Sequence, residues 1–178
     1  ANTIGILGGF SSTGLTILNN GNITVAGTVS TGSGAVTLNS AGALVVNNSV
    51  TTTGDVDLDA VTTISGPGLI SGNRLDTNAV TGIDIKTNVT SLFFENTGVG
   101  VVIIEEENGL TVIKGENINS GFNPGDITVT STTGDITVDS GGLTSDTGVI
   151  KLNSIAGAVA VNGHLATTAS IGGDIVLD

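Results

Sequence analysis

Gly125-Asp126-Ile127-Thr128-Val129 and Gly134-Asp135-Ile136-Thr137-Val138 are the same pentapeptide written twice, and looser copies run through most of the chain. Among them are Gly21-Asn22-Ile23-Thr24-Val25, Gly34-Ala35-Val36-Thr37-Leu38, Gly54-Asp55-Val56-Asp57-Leu58, Gly148-Val149-Ile150-Lys151-Leu152, Gly157-Ala158-Val159-Ala160-Val161 and Gly173-Asp174-Ile175-Val176-Leu177. Each reads as a turn glycine followed by a short strand. Side chains alternate along a strand, so the apolar third and fifth positions share one face and the Thr, Asp, Lys or Ala between them takes the other. Strands this short cannot bury an apolar face alone. A series of them must stack on itself, and that is a solenoid.

The spacing of the copies gives the coil. Gly21 to Gly34 is 13 residues and Gly34 to Gly54 is 20, whereas Gly125 to Gly148 and Gly134 to Gly157 are both 23. A repeat near 23 residues with two or three strands fits one turn of a right-handed parallel β-helix. The 178 residues then make one all-β domain of roughly eight coils, a rod on the order of 40 Å long. Between about 61 and 123 the repeat is looser and the turns read as longer and more polar. A β-sandwich is the alternative, since it also uses short alternating strands. Helix is disfavoured because Gly and β-branched residues interrupt every window.

Composition agrees and excludes several functions. The chain has 28 Gly, 2 Pro, 4 Phe and no Cys, Met, Trp or Tyr. Mean hydropathy is +0.40, yet the longest apolar stretch, Val99 to Ile104, is broken by Gly100. A spanning helix needs about 20 apolar residues, and a membrane barrel needs aromatic girdles. Sixteen acidic residues against four basic ones give a net charge of -12. Arg74, Lys86, Lys114 and Lys151 are too scattered to form a phosphate-binding stripe, so nucleic acid is not an expected partner. The acidic surface suits an exported protein.

The pentapeptide series, plainest over 21–58 and 125–177, resembles the degenerate repeats of filamentous-haemagglutinin-like and autotransporter-passenger surface exoproteins of bacteria. That resemblance implies an extracellular stalk that mediates adhesion, aggregation or surface coating, and it implies no catalytic residues. Asn123-Pro124-Gly125 departs from the Asn-Pro-Asn type motif of the family's secretion domain, so no such domain is implied.

Candidate sites are few, and none is assigned as catalytic, cofactor-binding or metal-binding. Asp55, Asp57 and Asp59 alternate on one strand and offer three oxygens side by side, the chemistry calcium takes. Neither the EF-hand loop nor the calcium nonapeptide is present. Further acids at Asp126, Asp135, Asp139, Asp146 and Asp174 could bridge ions between molecules. Glu105-Glu106-Glu107, followed by Asn108-Gly109, reads as a protruding, solvated turn, because like charges repel and seek water. His164, the one histidine, has no Cys partner for zinc and no second His for a relay. A β-helix acting on carbohydrate is the rival function, disfavoured by the lack of Trp and Tyr. Ice binding through Thr51-Thr52-Thr53, Thr62-Thr63, Thr132-Thr133 and Thr167-Thr168 is another, but their spacing is irregular. The sequons at Asn22, Asn47 and Asn88 are chance matches in so Asn-rich a chain.

The function expected is therefore non-enzymatic and extracellular: an adhesin stalk or a surface filament subunit. Strand-like sequence reaches both ends, from Ile4-Gly5-Ile6-Leu7 to Ile175-Val176-Leu177-Asp178. Either the coil continues in a longer stalk or copies associate end to end, the apolar segment Ile4 to Phe10 being one candidate for donation to a neighbour.

Overall fold

A computed structural model describes residues 6–118, 125–168 and 173–178. The described residues hold no helix, and every ladder between strands is parallel. Twenty strands join into one sheet that winds through about 8 turns. That is the β-solenoid, and it excludes the antiparallel sandwich.

The winding sheet has three faces. The first carries β3 (Leu15–Asn19), β6 (Val36–Ser40), β9 (Val56–Ala60), the ends of β10 (Ile64–Ala79), β11 (Ile83–Asn96) and β13 (Leu110–Asn117), then β16 (Leu143–Ser145) and β19 (Leu165–Thr167). On the second lie β1 (Ile6–Leu7), β4 (Ile23–Val25), β7 (Leu44–Val46), the starts of β10 and β11, β12 (Val102–Glu106), β14 (Ile127–Ser131), β17 (Ile150–Ser154) and β20 (Ile175–Leu177). The third holds β2 (Phe10–Ser11), β5 (Val29–Ser30), β8 (Val50–Thr51), the middles of β10 and β11, the start of β13, β15 (Ile136–Val138) and β18 (Val159–Val161). The described part of the amino-terminal segment thus pairs within its own chain, as β1 with β4 and β2 with β5. Residues 1–5, Asn123 and Pro124 lie outside the described residues.

Register stacks like on like. Ile23, Leu44, Ile64, Ile83, Val102, Ile127 and Ile150 form one continuous buried column. The pentapeptide's third and fifth positions, Ile127 and Val129, are fully buried, while Thr128 between them faces out. The pentapeptide glycines are needed for closeness. At Gly54 a Cβ would lie 2.6 Å from the Ser33 carbonyl oxygen, and at Gly157 one would lie 2.6 Å from the Gly134 carbonyl carbon, both in the coil beneath. None of the pentapeptide glycines over 21–58 and 125–157 has positive φ, so a packing limit between coils, and not a turn conformation, selects glycine there.

The middle region differs from the sequence reading. Residues 61–123 contain the longest strands, β10 with 16 residues, β11 with 14 and β13 with 8, which run round corners without breaking. Their task is to shift the phase of the repeat. Ile23 and Val29 belong to separate strands, but their columns continue through Ile83 and Thr87 into Val102 and Glu106 of the single strand β12. Conversely, Leu92 and Asn96 of β11 continue into Val138 of β15 and Ser145 of β16, with a corner between them. The five-residue strand of each coil moves from the first face to the second. This is why glycine spacing changes along the sequence.

One buried polar atom has no partner among the described residues. Thr77 is fully buried in the column between Leu58 and Phe94, and its hydroxyl makes no hydrogen bond. Thr77→Val is expected to raise stability by about 1 kcal/mol, because it removes an unsatisfied hydroxyl while keeping shape. An unchanged or lower denaturation midpoint would contradict that assignment.

Candidate functional site

The polar side chains that read as candidate sites are spent mainly on joining one coil to the next. The second position of the pentapeptide is the clearest case. Asn22 Oδ1 accepts from the Ala43 N–H at 2.9 Å, Asp126 Oδ1 from Val149 N–H at 2.8 Å, and Asp135 Oδ1 from Ala158 N–H at 2.8 Å. In each the donor lies just ahead of a strand one coil later, where the turn leaves a main-chain N–H without a ladder partner. A buried or half-buried N–H of this kind must be satisfied. A carboxylate does so with a charge-assisted bond.

Corners are closed from inside by a second set. Ser40 Oγ donates to Gly21 O at 2.8 Å, Thr52 Oγ1 to Gly34 O at 2.7 Å, Ser145 Oγ to Gly125 O at 2.8 Å and Ser154 Oγ to Gly134 O at 2.8 Å. Asn96 and Asn117 stack, with Asn96 Nδ2 donating to Asn117 Oδ1 at 2.8 Å and Gly82 N–H donating to Asn96 Oδ1 at 2.9 Å. The threonine pairs belong to this system. Thr53, Thr133 and Thr168 each donate a hydroxyl hydrogen bond to a main-chain carbonyl of the preceding coil, so they mark corners and do not form a flat outward array.

The glutamate run corrects the sequence reading. Glu105 and Glu106 lie on β12, and strand alternation sends Glu105 out to Lys86 at 3.0 Å and Glu106 inward, where it is fully buried. Only Glu107 and Asn108 form the exposed turn. Glu106 occupies the column that holds Val50 and Ile70 upstream and Ser131 and Ser154 downstream, the point at which a core column becomes a corner column. Its Oε2 accepts from Thr87 Oγ1 at 2.8 Å and Val89 N–H at 3.2 Å, and its Oε1 from Asn108 N–H at 3.1 Å. The repulsion that favours solvent is outweighed by three converging donors.

Burial raises the Glu106 pKa above the usual carboxylate range, partly offset by those three donors, with Glu107 adding to the rise. The folded chain therefore holds this proton more tightly than the unfolded chain. Its contribution favours folding below the ordinary glutamate pKa and is lost as pH rises through the raised value. Glu106→Gln should flatten that dependence, gaining on the parent protein as pH rises across that window. Glu106→Ala should cost about 2–4 kcal/mol at all pH values, since it strands the Val89 and Asn108 N–H groups. Urea unfolding from pH 4 to 8 measures both, and parallel curves for parent and Gln variant would contradict the burial assignment.

The three aspartates do not converge. Asp55 precedes β9, is exposed, and accepts from Asn73 Nδ2 at 3.0 Å. Asp59 is wedged between Asn39 and Asn78, whose amides donate at 3.3 and 2.8 Å. Asp57 sits beside Asp76 across the ladder, and its pKa is raised by partial burial and by the Asp59 and Asp76 charges. Among the described residues no three His, Cys, Asp or Glu side chains form a group that could hold a metal ion. Asp139 caps Ser140 N–H at 2.7 Å, and Asp146 lies 3.3 Å from the Thr168 hydroxyl. His164 is exposed, its Nε2 3.2 Å from Thr144 Oγ1. All four cations are engaged on the surface: Arg74 with Asp76, Lys86 with Glu105, Lys114 with Glu116 and Lys151 with Asp178.

No described helix is long and apolar enough to cross a membrane. Comparison of the chain with protein-family models, curated proteins and solved structures finds no match.

Proposed function

We propose that this chain is a non-enzymatic structural element, an adhesin stalk or surface filament subunit of the bacterial exoprotein kind, working outside the cell. The observation that carries this reading is the inter-coil acceptor at the second pentapeptide position, repeated at Asn22, Asp126 and Asp135. Residues of the kind an enzyme would use for chemistry here fasten each coil to its neighbour. The product is a stiff rod. A high negative charge with every cation already paired keeps such rods apart from other acidic surfaces.

In the last described coil, Ile175, Leu177 and Val161 continue buried columns yet are 45%, 49% and 37% exposed. A further coil would cover them, supplied by a continuing stalk or by a second copy end to end. Negative-stain electron microscopy with and without calcium tests the reading. Filaments support the subunit form and isolated short rods the stalk form. Compact round particles, or release of reducing sugar from polysaccharide by the purified chain, would overturn it.

A further inference from the structure

We propose that the groove along the corner between the first and second faces binds an extended, lysine-bearing peptide segment of a partner protein. The groove, about 300 Å³, crosses four coils; Val61 and Val80 line its apolar side, and Asn39, Asp59, Asn78 and Glu95 form the opposite wall. Val61 and Val80 are 57% and 37% exposed although they are large aliphatic side chains. Four rungs span about 14 Å, the length of about four extended residues.

Charge selects the occupant. The wall residues are successive rungs of one ladder, Asn39 to Asp59 to Asn78 to Glu95. Glu95 is followed on the next rung by Glu116, whose charge is taken by Lys114 at 2.8 Å. Glu95 has no ion pair among the described residues, and the chain's four cations are committed elsewhere. A compensating cation must come from another molecule. Lysine fits both sides of the groove, since its four-carbon stem covers aliphatic surface while the ammonium reaches a carboxylate. A second copy of this chain is a poor occupant because it brings the same negative charge. The inference does not depend on the stalk reading.

The test is a titration of isotope-labelled protein, followed by amide NMR shifts, with a blocked hexapeptide alternating lysine and valine. A lysine–serine hexapeptide of equal charge and a glutamate–valine hexapeptide serve as comparisons. Shifts confined to residues 59–61, 78–80 and 95–97 are expected, with at least fivefold tighter binding than the lysine–serine peptide and none for the glutamate–valine peptide. Val61→Ser with Val80→Ser, and separately Glu95→Gln, should each weaken binding threefold or more while the rest of the spectrum is unchanged. Equal binding by both lysine peptides, shifts spread over other acidic surface, or no shift at the groove up to millimolar peptide would overturn the proposal.

Discussion

Val129→Asp is expected to destabilise the fold by more than about 4 kcal/mol, enough to leave much of the chain unfolded, whereas Thr128→Asp one residue away should cost less than about 1 kcal/mol. Val129 is fully buried, stacked between Ile104 and Leu152 in a column with no polar neighbour at its own level. A carboxylate there would lose its hydration without gaining a partner. Thr128 faces outward beside Lys151, so an aspartate at 128 meets a cation instead. Circular dichroism and urea unfolding compare the two. Equal losses would overturn the assignment of inside and outside on which the solenoid rests.

The second large effect concerns the only place where a big side chain is matched to an absent one. Phe94 is fully buried, and it stacks on Gly115, which in turn stacks on Leu143. A Cβ at Gly115 would collide with the Phe94 ring and with Leu143 Cδ2. Gly115→Val should therefore cost about 3 kcal/mol by overpacking, and Phe94→Ala about 3–5 kcal/mol by the cavity it leaves. Combining Gly115→Val with Phe94→Leu should cost at least 1 kcal/mol less than the sum of the single changes, since the added and removed volumes share one space. Strict additivity in a double-mutant cycle would show that the two sites do not touch.

These residues also show what could be read in advance. The buried face of each strand was legible in Ile127 and Val129, because a period of two carries the inside-outside choice directly. The parallel coil was legible because Gly125 and Gly148 recur at the same spacing as Gly134 and Gly157. Glu106 was misread from its charge. A usable signal was present, since Val102, Ile104 and Glu106 continue one alternation and place the glutamate inside. The role of Asp126 and Asp135 was hidden for another reason: each partner, Val149 or Ala158, is 23 residues away and has no distinguishing side chain. Main-chain donors leave no mark in a sequence. The phase shift between the halves was visible only as uneven glycine spacing. Its cause, strands that turn corners while keeping their ladder, depends on the register of Thr87 with Glu106 and of Leu92 with Val112.

The central claim is that coils stack one rung at a time along a single axis. Thr24, Val45, Ser65, Asp84, Ile103, Thr128 and Lys151 are successive outward positions of one column. Spin labels placed at Thr24 and, in turn, at Ile103, Thr128 and Lys151 measure it by pulsed electron–electron resonance. Backbone separations of about 19, 24 and 29 Å are predicted, rising by one strand spacing of ~4.8 Å per coil. Separations that fail to rise in sequence order, or that all fall within the roughly 10 Å of two packed sheets, would contradict the stacked coil.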